Sequence, residues 1–246
     1  MRNLDAEAQN QPESLYQHGV DLFVRERLIE RFKPYVHPAP SRSLEIGSYE
    51  GDMTAMLVKE FGKTEVLEGS KELVKKLSQK FEDDVVVHEG YLESFEPKDL
   101  YDNIYLIHTL EHLDSPVEGL LRLKDWLKPD GRIFIAVPNA HALSRRIAVE
   151  MGVVEYLNAV TPTESKFGHT VTFSLDSLKS VINKANLNIV SYGGVLLKTL
   201  ANYQFDQALL SGIISNEYLI AADKLSKEFP DLSSSIYEIA SKDTNE

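Results

Sequence analysis

Between Ser43 and Val137, short apolar runs alternate with helix-like stretches, and this alternation constrains the fold more than any other feature of the chain. The runs Ser43–Gly47, Thr64–Glu68, Val85–His88, Asn103–Ile107 and Arg132–Val137 have the length of strands. The stretches near Thr54–Phe61, Lys71–Phe81 and Pro116–Leu127 carry helical periodicity. Strands separated by helices imply right-handed crossovers and a parallel sheet covered on its faces. The third helix has its own start signal, with Ser115 as N-cap, Pro116 at the first position and Glu118 completing a capping box. The turn Lys128-Pro129-Asp130-Gly131 ends it.

The flanks read differently. Residues 1–13 are polar and read as a flexible N-terminus, without the apolar centre of a secretory signal. Residues 14–40 contain a helix from Leu15 to Phe32, apolar at Tyr16, Val20, Phe23, Val24, Leu28 and Phe32, which either lids a site or covers the sheet. The expected core is 41–202. After Val137 the chain is loop-rich, with helices at Ser144–Met151 and Leu175–Ala185. Leu187–Tyr192 and Val195–Leu200 flank Gly193-Gly194 and read as a hairpin, which would add an antiparallel strand. Residues 203–246 read as a helical extension packed on the core, broken at Phe229-Pro230-Asp231.

Charge narrows the function. Lys plus Arg number 26 against 38 Asp plus Glu, a formal net charge of −12, and no basic footprint for phosphate backbones is present. Nucleic acid is therefore not an expected partner. The chain has no cysteine, so thiolate metal sites and cysteine nucleophiles are excluded. No apolar run approaches the length needed to span a bilayer, so no membrane partner is expected and the expected location is the cytoplasm.

Three segments carry chemistry. The first is Leu44-Glu45-Ile46-Gly47-Ser48-Tyr49-Glu50-Gly51-Asp52, a strand–turn–helix in which small residues let backbone amides approach a ligand. A dinucleotide fingerprint would need glycine at 47, 49 and 52, and the chain has Tyr49 and Asp52. Second, Glu68 ends the next strand, 21 positions after Gly47, where a carboxylate accepts ribose hydroxyls, and Gly69 and Ser70 follow it. Third, Tyr101–Pro116 reads YDNIYLIHTLEHLDSP, a strand followed by His108-Thr109-Leu110-Glu111-His112. His108 and His112 are four apart and could share a helical face, but no other nearby ligand set is evident and no metal is expected.

Together these segments resemble the class I, Rossmann-like S-adenosylmethionine-dependent methyltransferases, in particular the bacterial group acting on small molecules, over residues 40–200. The first segment matches that family's E/D-x-G-x-G-x-G with Tyr49 in place of the middle glycine. The resemblance implies an α/β doubly wound seven-stranded sheet, mostly parallel with one antiparallel strand, plus the N-terminal helix and the C-terminal helical extension. It implies S-adenosylmethionine as cofactor and S-adenosylhomocysteine as product. Carried over by position, Glu45, Gly47 and Gly51 hold the methionine end and Glu68 the ribose; Ser48, Tyr49, Gly69 and Ser70 are further expected cofactor contacts, and Ser70 could also cap the next helix. Tyr91, where the family has an acid, and Leu92 take the adenine, and His108 and Thr109 lie along the methionine. Pro138-Asn139 and His169 also match family positions.

The expected reaction is methyl transfer to oxygen or nitrogen of a small-molecule acceptor, with sugars and secondary-metabolite precursors as candidates. His141 and His169 are the expected general bases, because imidazole titrates near neutrality. Arg145, Arg146 and Tyr203 are expected on the acceptor, the two guanidinium groups against a phosphate or carboxylate. A homodimer is the one assembly left open. Two other readings compete: a cofactor-binding module without chemistry, kept open by Tyr49 and Tyr91, and an NAD-type oxidoreductase, which lacks both the glycine spacing and a Tyr-x-x-x-Lys pair after the fourth strand.

Overall fold

The computed structural model describes residues 4–5 and 19–242. The expected flexibility of 1–13 and the helical start at Leu15–His18 fall almost wholly outside them. The strands are β1 (Ser43–Ile46), β2 (Thr64–Glu68), β3 (Val85–Glu89), β4 (Tyr101–Ile107), β5 (Leu127–Pro138), β6 (Leu187–Val195) and β7 (Ser235–Lys242). Helix α1 (Gly19–Phe32) precedes β1, α2 (Asp52–Phe61) and α3 (Lys71–Phe81) cross between β1, β2 and β3, and α4 (Pro116–Trp126) leads from β4 to β5. The remaining helices are α5 (Leu143–Glu150), α6 (Pro162–Lys166), α7 (Leu175–Lys184), α8 (Asn202–Leu210) and α9 (Asn216–Leu225).

All seven strands form one sheet in the order β3-β2-β1-β4-β5-β7-β6. The first five are parallel, and β7 runs antiparallel between β5 and β6. The antiparallel strand is thus the C-terminal segment and not half of a hairpin at Gly193-Gly194. β6 passes straight through both glycines, because they lie where β7 and its approach press closest. A Cβ on Gly193 would stand 2.8 Å from the Tyr237 hydroxyl, and one on Gly194 2.6 Å from Ser233 Cβ. The glycines serve close approach instead of a turn. The expected helical tail therefore ends at α9, and Ser235–Lys242 returns to the sheet. Two smaller expectations also change. The Ser115 side chain makes no capping bond, so Pro116 alone marks the start of α4. The Lys128–Gly131 turn is absorbed in β5 as an irregularity opposite Tyr101–Asn103.

Alternate side chains of the sheet feed two apolar layers. Ile104, Leu106, Ile133 and Ile135 join Leu120, Trp126 and Leu178 of α4 and α7 on one face. Tyr105, Phe134 and Ile239 join Val24, Leu28 and Phe32 of α1 with Met53 and Leu57 of α2 on the other. Phe32 is fully buried, 5.1 Å from the Phe134 ring and edge-on to Tyr237. Polar bonds then fix both ends of α1: Asp206 accepts from Val20 N at 3.0 Å, and Arg31 pairs with Asp223 at 2.8 Å. Helix α1 is therefore part of the core, clamped by the C-terminal helices. Phe32→Ala is expected to cost about 3–5 kcal/mol in urea unfolding; a loss below about 1 kcal/mol would show that α1 is not cooperatively packed.

Candidate active site

In open α/β sheets a crevice forms at the carboxyl ends of the strands where the strand order reverses, here between β1 and β4. A cavity of about 870 Å³ occupies that place, within the roughly 300–1,000 Å³ of small-molecule sites. Its walls come from the ends of β1, β2, β4 and β5, the loop after β3, helix α1, the start of β7 and the segment 198–203.

The turn after β1 is built from left-handed backbone. Gly47 has φ 71°, Tyr49 φ 51° and Gly51 φ 80°. Tyr49 thus keeps the backbone of the glycine that it replaces, at a strain of order 1–3 kcal/mol for a non-glycine residue. A Cβ on Gly47 would stand 3.0 Å from the Thr109 side chain, whose hydroxyl donates to Ile46 O at 2.8 Å. The loops after β1 and β4 are in this way locked together. Glu68 locks the other side. Its carboxyl accepts from Ser70 N at 2.9 Å and also from backbone amides of Tyr49, Gly69 and Ser48. Burial raises its pKa and these donors oppose the rise. Glu68 is therefore a clasp between two loops as well as a carboxylate on the cavity wall.

Glu45 is 2% exposed and accepts from Thr54 Oγ1 at 2.5 Å. Burial lifts its pKa to about 7, against the pull of Thr54 and of Arg25 across the cavity. Tyr91 lays its ring against Gly69, 3.3 Å from where a Cβ would be. Leu92 sits beside it, with its carbonyl accepting from Arg122 Nε at 2.7 Å. These residues fit the expected cofactor: a left-handed turn that brings backbone close, a Ser48 hydroxyl inside the wall with no partner among the described residues, and carboxyls at the ends of two adjacent strands. Two of the expected cofactor residues lie elsewhere. Gly51 packs against Leu77 and Phe81 of α3, and Ser70 is fully buried, accepting from Leu73 N to cap α3.

On the acceptor side, His169 lines the cavity together with Glu111 and His112, its ring 4.7 Å from His112 and edge-on to it. The stretch Leu110–His112 is a 3-10 turn and not a continuing helix, so the expected pairing of His108 and His112 on one helix face does not form. His108 instead stands in left-handed backbone (φ 54°), with Nε2 3.2 Å from Ser235 Oγ, and burial draws its pKa down to about 3. Glu111 is 2% exposed, and burial pushes its carboxyl up to about 8. His141 and Arg146 are not on the cavity wall. His141 N donates to Asn139 Oδ1 and its carbonyl takes Arg146 Nε, so both serve the turn into α5. Arg145 reaches the cavity, but its guanidinium is bound by Glu164 at 2.6 Å, by Leu157 O and by Ala159 O. It pins α6 to α5 and offers no free clamp. Tyr203 lines the cavity and is more than half exposed.

Two further cations stand on the wall. Arg25 lies on the inner stripe of α1 with Asp21, Val24 and Leu28, a 3-and-4 spacing that gives the signal. Lys198 is buried, donates to Leu200 O at 3.0 Å, and has its pKa lowered to about 8 by burial, with Asp21 and Asp206 opposing. Ser234 and Ser235 were hidden because the tail read as helix.

The model of a family described as "Methyltransferase domain" matches residues 16–192. No curated protein matches the chain significantly. Among solved structures, an S-adenosylmethionine-dependent methyltransferase from Archaeoglobus fulgidus is 21% identical with TM-score 0.58, over 89% of this chain and 93% of that one. The N-methyltransferase NodS from Bradyrhizobium japonicum, solved with S-adenosylhomocysteine, is 14% identical with TM-score 0.60 over 96% and 95%. The chain solved with the Trm112 methyltransferase activator of Haloferax volcanii is 13% identical with TM-score 0.62 over 96% and 93%. With a family match across most of its length, this fold and this cofactor crevice, the chain belongs to the methyltransferase-domain family and is a class I, S-adenosylmethionine-dependent methyltransferase.

Proposed function

We propose that the enzyme methylates an oxygen or nitrogen of a small molecule held in the inner half of the cavity. The observation that carries this reading is the lining. Val20, Val24 and Arg25 of α1, with Lys198, Asn202 and Tyr203, line the same cavity as His112 and His169, on a scale that suits a small molecule. A polymer backbone needs a trough with a basic rim, and the chain carries a net charge of −12. Among the described residues no helix is long and apolar enough to cross a membrane.

When bound, the cofactor supplies a sulfonium methyl, and transfer forms a carbon–oxygen or carbon–nitrogen bond as the carbon–sulfur bond breaks and its electron pair stays on sulfur. The protein's share is orientation, exclusion of water and custody of one proton. Glu45 and the Ser48–Tyr49 backbone would hold the methionine end, Glu68 the ribose, and Tyr91 with Leu92 the adenine. Arg25, across the cavity from Glu45, supplies positive charge suited to a carboxylate. The proton of an acceptor hydroxyl would leave at the Glu111–His112–His169 group, a cluster of titratable side chains on the cavity wall. His108, held neutral by burial, positions the loop through Ser235.

Two outcomes test this reading. With labelled methyl donor and a panel of small hydroxyl and amine compounds, label should pass to a compound of the panel; label found only in added RNA or protein would overturn the small-molecule assignment. Binding of S-adenosylhomocysteine should also tighten up to about tenfold from pH 6 to pH 8. The Glu45 carboxyl, near 7 in the free protein, is the form that must ionise to face an ammonium group. Glu45→Gln should flatten that slope, and an unchanged slope by calorimetry would remove Glu45 from the cofactor site.

A further inference from the structure

We infer that Glu111, His112 and His169 form a binding site for a divalent transition-metal ion at the acceptor end of the cavity, and that the enzyme's acceptor is an oxygen compound able to chelate it. The inference rests on the methyltransferase reading for the acceptor, but the site itself is argued from its own residues.

The donor set comes first. One carboxylate oxygen and one ring nitrogen from each histidine lie within 4.8 Å of one another. Donor atoms around one ion with bonds of about 2.0–2.2 Å stand roughly 3–3.5 Å apart, so rotation of the imidazole rings by an ångström or so closes the set. Two imidazoles and one carboxylate suit iron(II), cobalt(II) or zinc(II) better than magnesium, which takes oxygen ligands. Three protein ligands leave positions open for water or an acceptor.

The second observation is the state of Glu111. It is 2% exposed, lines the cavity, and neither carboxylate oxygen has a hydrogen-bond partner in another described residue, its own backbone amide being the sole donor near it. A buried carboxyl with no donor from another residue is costly to keep, and an ion in the cavity would satisfy both oxygens.

The third is the scaffold. Thr170 N donates to Glu111 O at 2.9 Å, and Thr170 Oγ1 donates to Leu113 O at 2.9 Å. His169 N donates to Glu164 O at 3.0 Å. These bonds fasten the segment carrying His169 across the turn carrying Glu111 and His112, so two loops far apart in sequence present their donors to one point.

An ion at this point would face the cavity that α1 also lines. A hydroxyl bound to it is acidified, and its proton passes to water while the oxygen keeps the electron pair. A compound with a second oxygen next to that hydroxyl would take two coordination positions, which orients it. In that state the two imidazoles serve as ligands and not as free bases.

The test is cobalt(II) titration of chelator-dialysed protein, read by calorimetry and by visible absorption of the bound ion. Wild type should bind about one equivalent, and Glu111→Gln and His169→Ala should each weaken binding at least tenfold. Glu111→Gln keeps the shape of the buried side chain, and circular dichroism checks that both variants fold. Absence of binding at about 0.1 mM metal, or binding that survives both substitutions, would overturn the site. S-adenosylhomocysteine titrated into the same wild-type sample separates the two ideas. If it binds and cobalt does not, the metal site fails and the transferase reading stands.

Discussion

Everything at the active site depends on the reversal of strand order between β1 and β4. At that point the crossover after β1 goes to one side and the crossover after β4 to the other, so the carboxyl ends of the strands open onto unfilled space. The polypeptide cannot leave that space with bare backbone, so it lines it with bonded loops. Thr109 ties the β4 loop to Ile46, and Glu68 gathers amides from the loops after β1 and β2. Asn139 ties the end of β5 to Asp231 O and Ser233 O, both at 2.8 Å. The cavity is thus walled by segments held together independently of any ligand.

Strain gathers at the same place. Tyr49 and His108 adopt left-handed backbone, and both line the cavity. The surrounding structure must over-determine such residues, at of order 1–3 kcal/mol each. For Tyr49 the constraint is the turn that lets β1 feed α2 while its amides face inward. For His108 it is the exit of β4, where His108 N donates to Ala136 O at 2.8 Å and Nε2 meets Ser235. A positive charge on that ring would be buried near His112, His169 and Arg25, which is why it stays neutral.

The parallel half of the sheet was legible because its signals are local. Apolar runs of strand length, helical periodicity and the turn at Gly47–Gly51 each fit within a dozen residues. The C-terminal half was not. Gly193-Gly194 has the composition of a turn, and only the approach of Tyr237 and Ser233, some 40 residues later, shows why side chains are excluded there. Ile236, Tyr237 and Ile239 after a run of serines were a strand signal, masked by the helical stretch before them. At the site, the residues expected at the cofactor line the cavity, apart from Gly51 and Ser70, whose side of the loop faces α3. Residues on the other walls depend on which long-range elements meet: His169 lines the cavity, His141 and Arg146 fall beyond the α5 turn, and Arg25 and Ser235 were not anticipated.

The central claim is that the left-handed turn and the two strand-end carboxyls make a site for the adenosyl cofactor and not for a dinucleotide. Calorimetric titration of the purified chain with S-adenosylhomocysteine and, separately, with NAD tests it most directly. The account predicts one-to-one binding of the first, weakened at least tenfold (about 1.4 kcal/mol) by Glu68→Ala, and no measurable heat from the second. Binding of NAD with none of S-adenosylhomocysteine would contradict it.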